Sequence, residues 1–120
     1  MNRVWVVTTF SFVARHCWPD APTHLGHLRH VHEHEFQVRA WVEVTGKDRE
    51  LACEDVTEAI REWTERELPG MKGTFSCEAV AAELAEHLRV EMPAVGGGRR
   101  ACRVEVTEDG RQGGAVECGL

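Results

Sequence analysis

The sequence lacks the long apolar runs and paired cysteines that mark membrane and secreted proteins. No stretch of about 18 consecutive residues is apolar, and residues 1–7 lack the apolar core and small-residue cleavage site of a secretion signal. The five cysteines are odd in number, widely spaced and without a CxxC pair, which predicts reduced thiols. We therefore expect a cytoplasmic protein that does not act at a membrane.

Basic residues are also in the minority. Fourteen Lys and Arg stand against 20 Asp and Glu, for a formal net charge of −6, which argues against a nucleic-acid partner. Hydrophobic residues make up 42% and charged residues 28%, as in ordinary globular proteins. Since 120 residues suffice for one hydrophobic core, residues 1–120 are predicted to form a single domain.

The hydrophobic pattern changes period twice along the chain. Apolar residues alternate over residues 3–16 and 31–46, which predicts two long strands separated by a loop over residues 17–29. Helical spacing follows over residues 52–67, and Ser76 is a candidate N-cap for a second helix. Two short strands flank an Asp109, Gly110 turn. The order ββααββ predicts an α+β domain with both helices on one face of an antiparallel sheet.

Histidine is the unusual feature, because six of the seven lie between positions 16 and 34. His32 and His34 are two residues apart on the second predicted strand, so both face its apolar side. His16 ends the first strand on the parity of that strand's apolar residues. Three imidazoles that share one ion leave its fourth position open, as in catalytic zinc sites. The simpler alternative is a pair of hydrogen-bonded core histidines.

Most of the chain resembles the 6-pyruvoyl tetrahydropterin synthase and 6-carboxytetrahydropterin synthase family. That family opens with a Phe-rich strand that ends in a zinc histidine and continues with a His-x-His strand. The matching residues here are Phe10, Phe12, His16, His32, Glu33, His34, Phe36, Val38 and Gly46. The family's first helix starts near an Asp, and Asp55 looks like that residue here. The family's Thr/Ser-x-Glu element is similar to Ser76, Cys77 and Glu78. Glu108 stands where the family's third strand ends in a glutamate.

The resemblance implies a T-fold, in which the ββααββ unit forms a trimeric barrel and trimers stack into a hexamer. It implies zinc bound by His16, His32 and His34, where the ion would polarise substrate oxygens as a Lewis acid. It also implies that Glu108 accepts paired hydrogen bonds from the N–H edge of a pterin ring. The implied activity is that of a zinc-dependent lyase or synthase on a dihydropterin-type small molecule.

The catalytic apparatus of that family is altered in this sequence. The family's cysteine, four residues before the His-x-His strand, is replaced by Leu28, and residues 65–75 contain neither the Asp nor the His of the family's Asp-His pair. An imidazole is suited to general acid and base work near neutral pH. His27 and His30 lie in the loop before the His-x-His strand, so we predict that they are the catalytic replacements.

Two other functions fit the same residues. The first is a T-fold zinc enzyme recruited to a non-pterin carbonyl substrate in specialised metabolism, since loss of the cysteine and of the Asp-His pair accords with different chemistry. The second is a non-catalytic protein whose histidines hold zinc, nickel or copper for structure or storage. Substrate binding that depends on Glu108 would favour a pterin.

Overall fold

The described part of the chain contains four antiparallel strands and two α-helices, in the order two strands, two helices, two strands. The computed structural model describes residues 2–46 and 48–119. The elements are β1 (Val4–His16), β2 (His32–Val44), α1 (Cys53–Arg66), α2 (Cys77–Glu91), β3 (Cys102–Glu108) and β4 (Gln112–Cys118). The predicted α+β class and antiparallel sheet are confirmed, and the element ends lie close to those that the sequence indicates.

The connections contain two short 3₁₀ segments. Thr23–Arg29 lies within the predicted loop between β1 and β2, and Leu68–Gly70 lies between the helices. The N-cap prediction is confirmed, because the Ser76 hydroxyl accepts a hydrogen bond of 3.1 Å from the Ala79 backbone N–H. Among the described residues, no helix combines the length and apolar character that crossing a membrane requires.

The register of the sheet brings the ends of three strands together. The strands lie in the order β1-β2-β3-β4, and every neighbouring pair is antiparallel. His16, the last residue of β1, pairs with His32, the first residue of β2. Glu108, the last residue of β3, pairs with Phe36. The even-numbered residues at this edge therefore point to the same face of the sheet.

The hydrophobic core lies between that face and the two helices. Alternation within each strand points β-branched and aromatic side chains toward the apolar stripes of α1 and α2. Burying one such Val, Leu or Phe side chain stabilises the fold by roughly 1.5–3 kcal/mol. The largest fully buried side chains are Phe36, Val38, Val42, Val56, Ile60, Val80, Leu84, Leu88, Cys102, Val104 and Val106. The hydrophobic core therefore packs against the same face of the sheet as the histidines, but no histidine belongs to it.

The opposite face of the sheet carries no helix in the described part of the chain. Val7 and Val13 on β1 are 45% and 62% exposed there. Two tryptophans on this face have guanidinium groups near their rings, Arg3 at 4.9 Å from the Trp5 ring and Arg103 at 5.3 Å from the Trp41 ring. This face therefore combines apolar and charged side chains.

Residues 109–111 form the short turn between β3 and β4. Asp109 and Gly110 have φ angles of 54° and 70°, a left-handed conformation that Asp tolerates and Gly adopts freely. Gly113 follows in β4, and a Cβ atom there would lie 1.8 Å from the Val106 carbonyl oxygen. Because no larger residue fits, Gly113 lets β4 approach β3 closely beside Glu108.

Candidate metal centre

Three histidines meet at the edge of the sheet where β1 ends and β2 begins. One nitrogen from each of His16, His32 and His34 lies within 4.8 Å of the other two. The ring centroids are 4.5 Å apart for His16 and His32 and 5.0 Å apart for His32 and His34. His16 is buried and the other two are half-buried. The predicted cluster therefore forms, and its geometry could hold a metal ion.

Each imidazole is oriented by a hydrogen bond from its Nδ1 atom. The His16 Nδ1–H donates to the Phe75 carbonyl at 2.9 Å, and the His32 Nδ1–H donates to the His30 carbonyl at 2.9 Å. The His34 Nδ1 lies 2.6 Å from Asp109 Oδ2. These oxygens are acceptors, which assigns the proton to each Nδ1 and leaves a lone pair on each Nε2. Hydrogen bonds of this kind commonly orient metal-binding histidines.

The His16 Nε2 atom is the strongest indication that a cation fits the cluster. It is buried and makes no hydrogen bond among the described residues, although the Glu108 carboxylate lies 3.2 Å away. An unpaired buried polar atom is costly, typically by about 1–3 kcal/mol. A metal ion shared with the other two imidazoles would satisfy it, and neutral imidazole is a preferred ligand of zinc. The residues present therefore fit the ion that the sequence predicts.

Glu108 places a carboxylate against the same nitrogens. Its Oε1 lies 3.2 Å from His16 Nε2, and its Oε2 lies 3.4 Å from His34 Nε2. The Cys77 thiol, at the start of α2, donates to Oε1 at 3.9 Å. Burial and the neighbouring Glu108 and Glu78 carboxylates raise the pKa of the Cys77 thiol to about 12, so the thiol stays protonated.

The cluster opens into a pocket of about 640 Å³, which is large enough for a bicyclic small molecule. His16, His32 and Glu108 form part of its wall. Aromatic, aliphatic and polar side chains form the remainder: Cys17, Trp18, Leu28, Thr74, Phe75, Ser76, Cys77, Glu78, Gln112 and Gly113. The pocket therefore joins the imidazole nitrogens to a partly apolar cavity that is open to solvent.

The two histidines predicted to be catalytic lie outside the pocket of the metal centre. The side chains of His27 and His30 are exposed and do not line this pocket. The identified contribution of His30 to the site is its backbone carbonyl, which orients His32. Leu28, at the position of the family's cysteine, does line the pocket. The catalytic role of His27 and His30 stays a prediction.

Two groups that accept hydrogen bonds from the histidines are not among the site residues predicted from the sequence: the Asp109 carboxylate and the Phe75 carbonyl. Asp109 binds His34 through Oδ2 and also accepts from the Glu35 backbone N–H at 3.0 Å. The sequence marks Asp109 only as a turn residue. The Phe75 carbonyl is a backbone group in the connection between the helices, so no side-chain pattern could identify it.

Comparison with known proteins adds no assignment. A scan against models of protein families matches no family, and a search of curated proteins finds no match.

Proposed function

We propose that this chain is a zinc-dependent enzyme, a lyase or synthase of the 6-pyruvoyl and 6-carboxy tetrahydropterin synthase type with an altered catalytic apparatus. The observation that carries the proposal is the convergence of three Nε2 lone pairs from His16, His32 and His34 beside a pocket. Three protein ligands with an open position are typical of catalytic rather than structural zinc. The proposed substrate is a small dihydropterin-type molecule, and the proposed location is the cytoplasm.

The donor set supports zinc, since neutral imidazole suits zinc and also copper and nickel, whereas calcium and magnesium prefer oxygen ligands. When bound, zinc would polarise the side-chain oxygens of the substrate as a Lewis acid. The Nδ1 hydrogen bonds hold the three rings in place, so the protein does not have to reorder them when the ion binds.

The pocket supports a flat heterocyclic substrate. Trp18 and Phe75 provide aromatic surface on its wall, and Glu108 provides a carboxylate for ring N–H groups. A carboxylate that accepts two such hydrogen bonds fixes the orientation of the ring as well as binding it. Proton transfer is assigned to His27 and His30, as the sequence analysis predicts, and requires the loop that carries them to approach the substrate.

The fold supports assembly of several copies in the T-fold manner, as a trimer or hexamer. β1 and β4 are the two edges of the sheet, and each leaves one row of backbone groups without a strand partner in the described chain. Pairing of one copy's β1 with another copy's β4 would remove both edges and close a barrel. The helix-free face, with Trp5 and Trp41, would then face other copies.

The test of this function is turnover of dihydroneopterin triphosphate by the zinc-loaded protein, with mass spectrometry of the pterin and the released side-chain fragment. We expect cleavage by the wild type and none by His32→Ala, which should also lose stoichiometric zinc while remaining folded. His87→Ala removes an imidazole that lies outside the pocket of the metal centre and should retain both zinc and turnover.

The other possible outcomes would contradict the metal assignment, the substrate or the catalytic role. Full zinc content in both His32→Ala and His34→Ala would overturn the metal assignment. Zinc binding without turnover would overturn the pterin substrate and favour another carbonyl substrate on the same scaffold. An apo form with full oligomeric stability and no ligand in its clefts would favour a non-catalytic metal-binding protein.

A further inference from the structure

The Glu108 carboxylate lies about as close to two of the imidazole nitrogens as two ligands of one tetrahedral ion lie to each other. Zinc bonds to nitrogen and oxygen of about 2.0–2.2 Å place two ligand atoms of a tetrahedral ion about 3.3–3.6 Å apart. Glu108 Oε1 lies 3.2 Å from His16 Nε2, and the other carboxylate oxygen, Oε2, lies 3.4 Å from His34 Nε2. The carboxylate is therefore already at ligand distance from two of the three proposed zinc ligands.

Charge complementarity gives the same result. Because each Nδ1 donates its hydrogen to an oxygen, the Nε2 atoms of His16 and His34 face the Glu108 carboxylate with lone pairs. Two acceptors in contact repel each other unless a proton or a metal ion lies between them. A divalent cation between them would bind both nitrogens and the carboxylate at once.

We propose that Glu108 is a fourth protein ligand of the metal in the substrate-free protein and that the substrate must displace it. This inference rests on the three-histidine zinc site of the proposed function. Glu108 is suited to such an exchange because it ends β3 at the turn and its side chain is 20% exposed toward the pocket. Once displaced, the same carboxylate is free to accept hydrogen bonds from the substrate ring.

This arrangement has a chemical consequence for the resting protein. With Glu108 bound, the ion has three nitrogens and one oxygen from the protein, so its coordination shell is closed to small exogenous ligands. A position on the ion would become available only when a competing ligand displaces Glu108. The carboxylate would therefore limit unproductive binding of small anions at the metal.

The experiment uses cobalt(II), whose visible absorption reports coordination at a zinc site. Metal-free wild type, Glu108→Gln and Glu108→Ala are titrated with cobalt(II) in competition with a chelator, and azide is then added to the cobalt-loaded proteins. Glu105→Gln is the matched control, because it removes one carboxylate from the same strand, β3, at a residue that lies outside the pocket and is paired with Arg103. Circular dichroism establishes that each variant is folded.

We expect both Glu108 variants to bind cobalt(II) at least about tenfold more weakly than the wild type. Azide should change the cobalt spectrum of Glu108→Ala at concentrations at least tenfold lower than in the wild type, because the fourth position is open. Glu105→Gln should resemble the wild type in both measurements.

Two results overturn the inference, and they are distinguishable. If wild type and both Glu108 variants bind cobalt(II) with equal affinity and respond equally to azide, Glu108 is not a ligand, although the three-histidine site stands. If the wild type binds cobalt(II) no better than His32→Ala does, the metal site itself is wrong, and the proposed function fails together with this inference.

Discussion

At the scale of single residues, the metal centre depends on groups that orient the imidazoles as much as on the imidazoles themselves. His16 and His32 donate to backbone carbonyls, whereas His34 donates to the Asp109 carboxylate. The hydrogen bonds from His34 and from the Glu35 backbone hold the pKa of Asp109 below its usual range. Asp109 therefore stays ionised at neutral pH and strengthens His34 as a ligand.

Asp109 provides a residue-scale prediction. Asp109→Gly removes the acceptor but tolerates the φ angle of 54°, and Asp109→Asn keeps both an acceptor and that conformation. We expect Asp109→Gly to weaken zinc binding by about 10- to 100-fold and Asp109→Asn to weaken it less. Competition with a chromophoric chelator measures both affinities. Wild-type affinity in Asp109→Gly would show that His34 does not need this partner.

At the scale of elements, a buried ion pair joins the connection between β2 and α1 to the residues just before β3. Arg100 Nη1 lies 2.5 Å from Glu50 Oε2, and the two side chains are 6% and 3% exposed. The Thr45 hydroxyl and backbone N–H also donate to the Glu50 carboxylate, and Arg100 donates to the Glu43 carbonyl. The hydrogen bond from the Thr45 side chain, followed by that from Arg100, lowers the pKa of Glu50 from its usual 4.5.

This pair predicts a pH dependence of stability. Because the pKa of Glu50 is lower in the folded than in the unfolded protein, its stabilising contribution is fully present above about pH 4.5 and is lost as the pH falls through the folded value. Glu50→Gln should therefore unfold roughly 5 °C below the wild type at neutral pH, and the difference between the two Tm values should shrink as the pH falls below about 4.5.

Thermal unfolding followed by circular dichroism at a series of pH values checks this prediction. Glu62→Gln, at an exposed position on α1, is the control and should follow the wild type throughout. A constant difference between Glu50→Gln and wild type across the whole range would mean that ionisation of Glu50 contributes nothing to folding.

At the scale of the whole molecule, the helices cover one face of the sheet, and no element of the described residues covers the other. The helices pack on the face of the sheet that carries the even-numbered strand residues, whereas Val7 and Val13 on the other face remain exposed. Within residues 2–46 and 48–119, β1 and β4 each leave one strand edge unpaired, and natural proteins commonly cover or pair such edges. A second copy of the chain can satisfy both features at once, which supports the proposed oligomer.

The mass of the protein in solution tests that assembly. Sedimentation equilibrium should give about three or six times the 13.5 kDa of one chain, because edge pairing that closes a ring consumes every free edge. A species of 13.5 kDa at all concentrations would contradict the oligomer without affecting the metal site.

Local spacing accounts for the part of this protein that the sequence alone determined. Side chains two residues apart on a strand share a face, so the positions of His32 and His34 relative to Phe36 and Val38 follow from alternation. The same reasoning places His16 on the apolar parity of β1. Strand and helix periods likewise determine the α+β class, because amphipathic patterns persist when the elements pack.

Only the tertiary structure decided how the site is completed. The groups that orient His16 and His34 lie 59 and 75 residues away in the chain, and neither distance leaves a local pattern. The contact of Glu108 with two imidazole nitrogens depends on the register of three strands, which residue spacing within one strand does not specify. The side chains of His27 and His30 are likewise placed by the path of an irregular loop, where no periodicity applies.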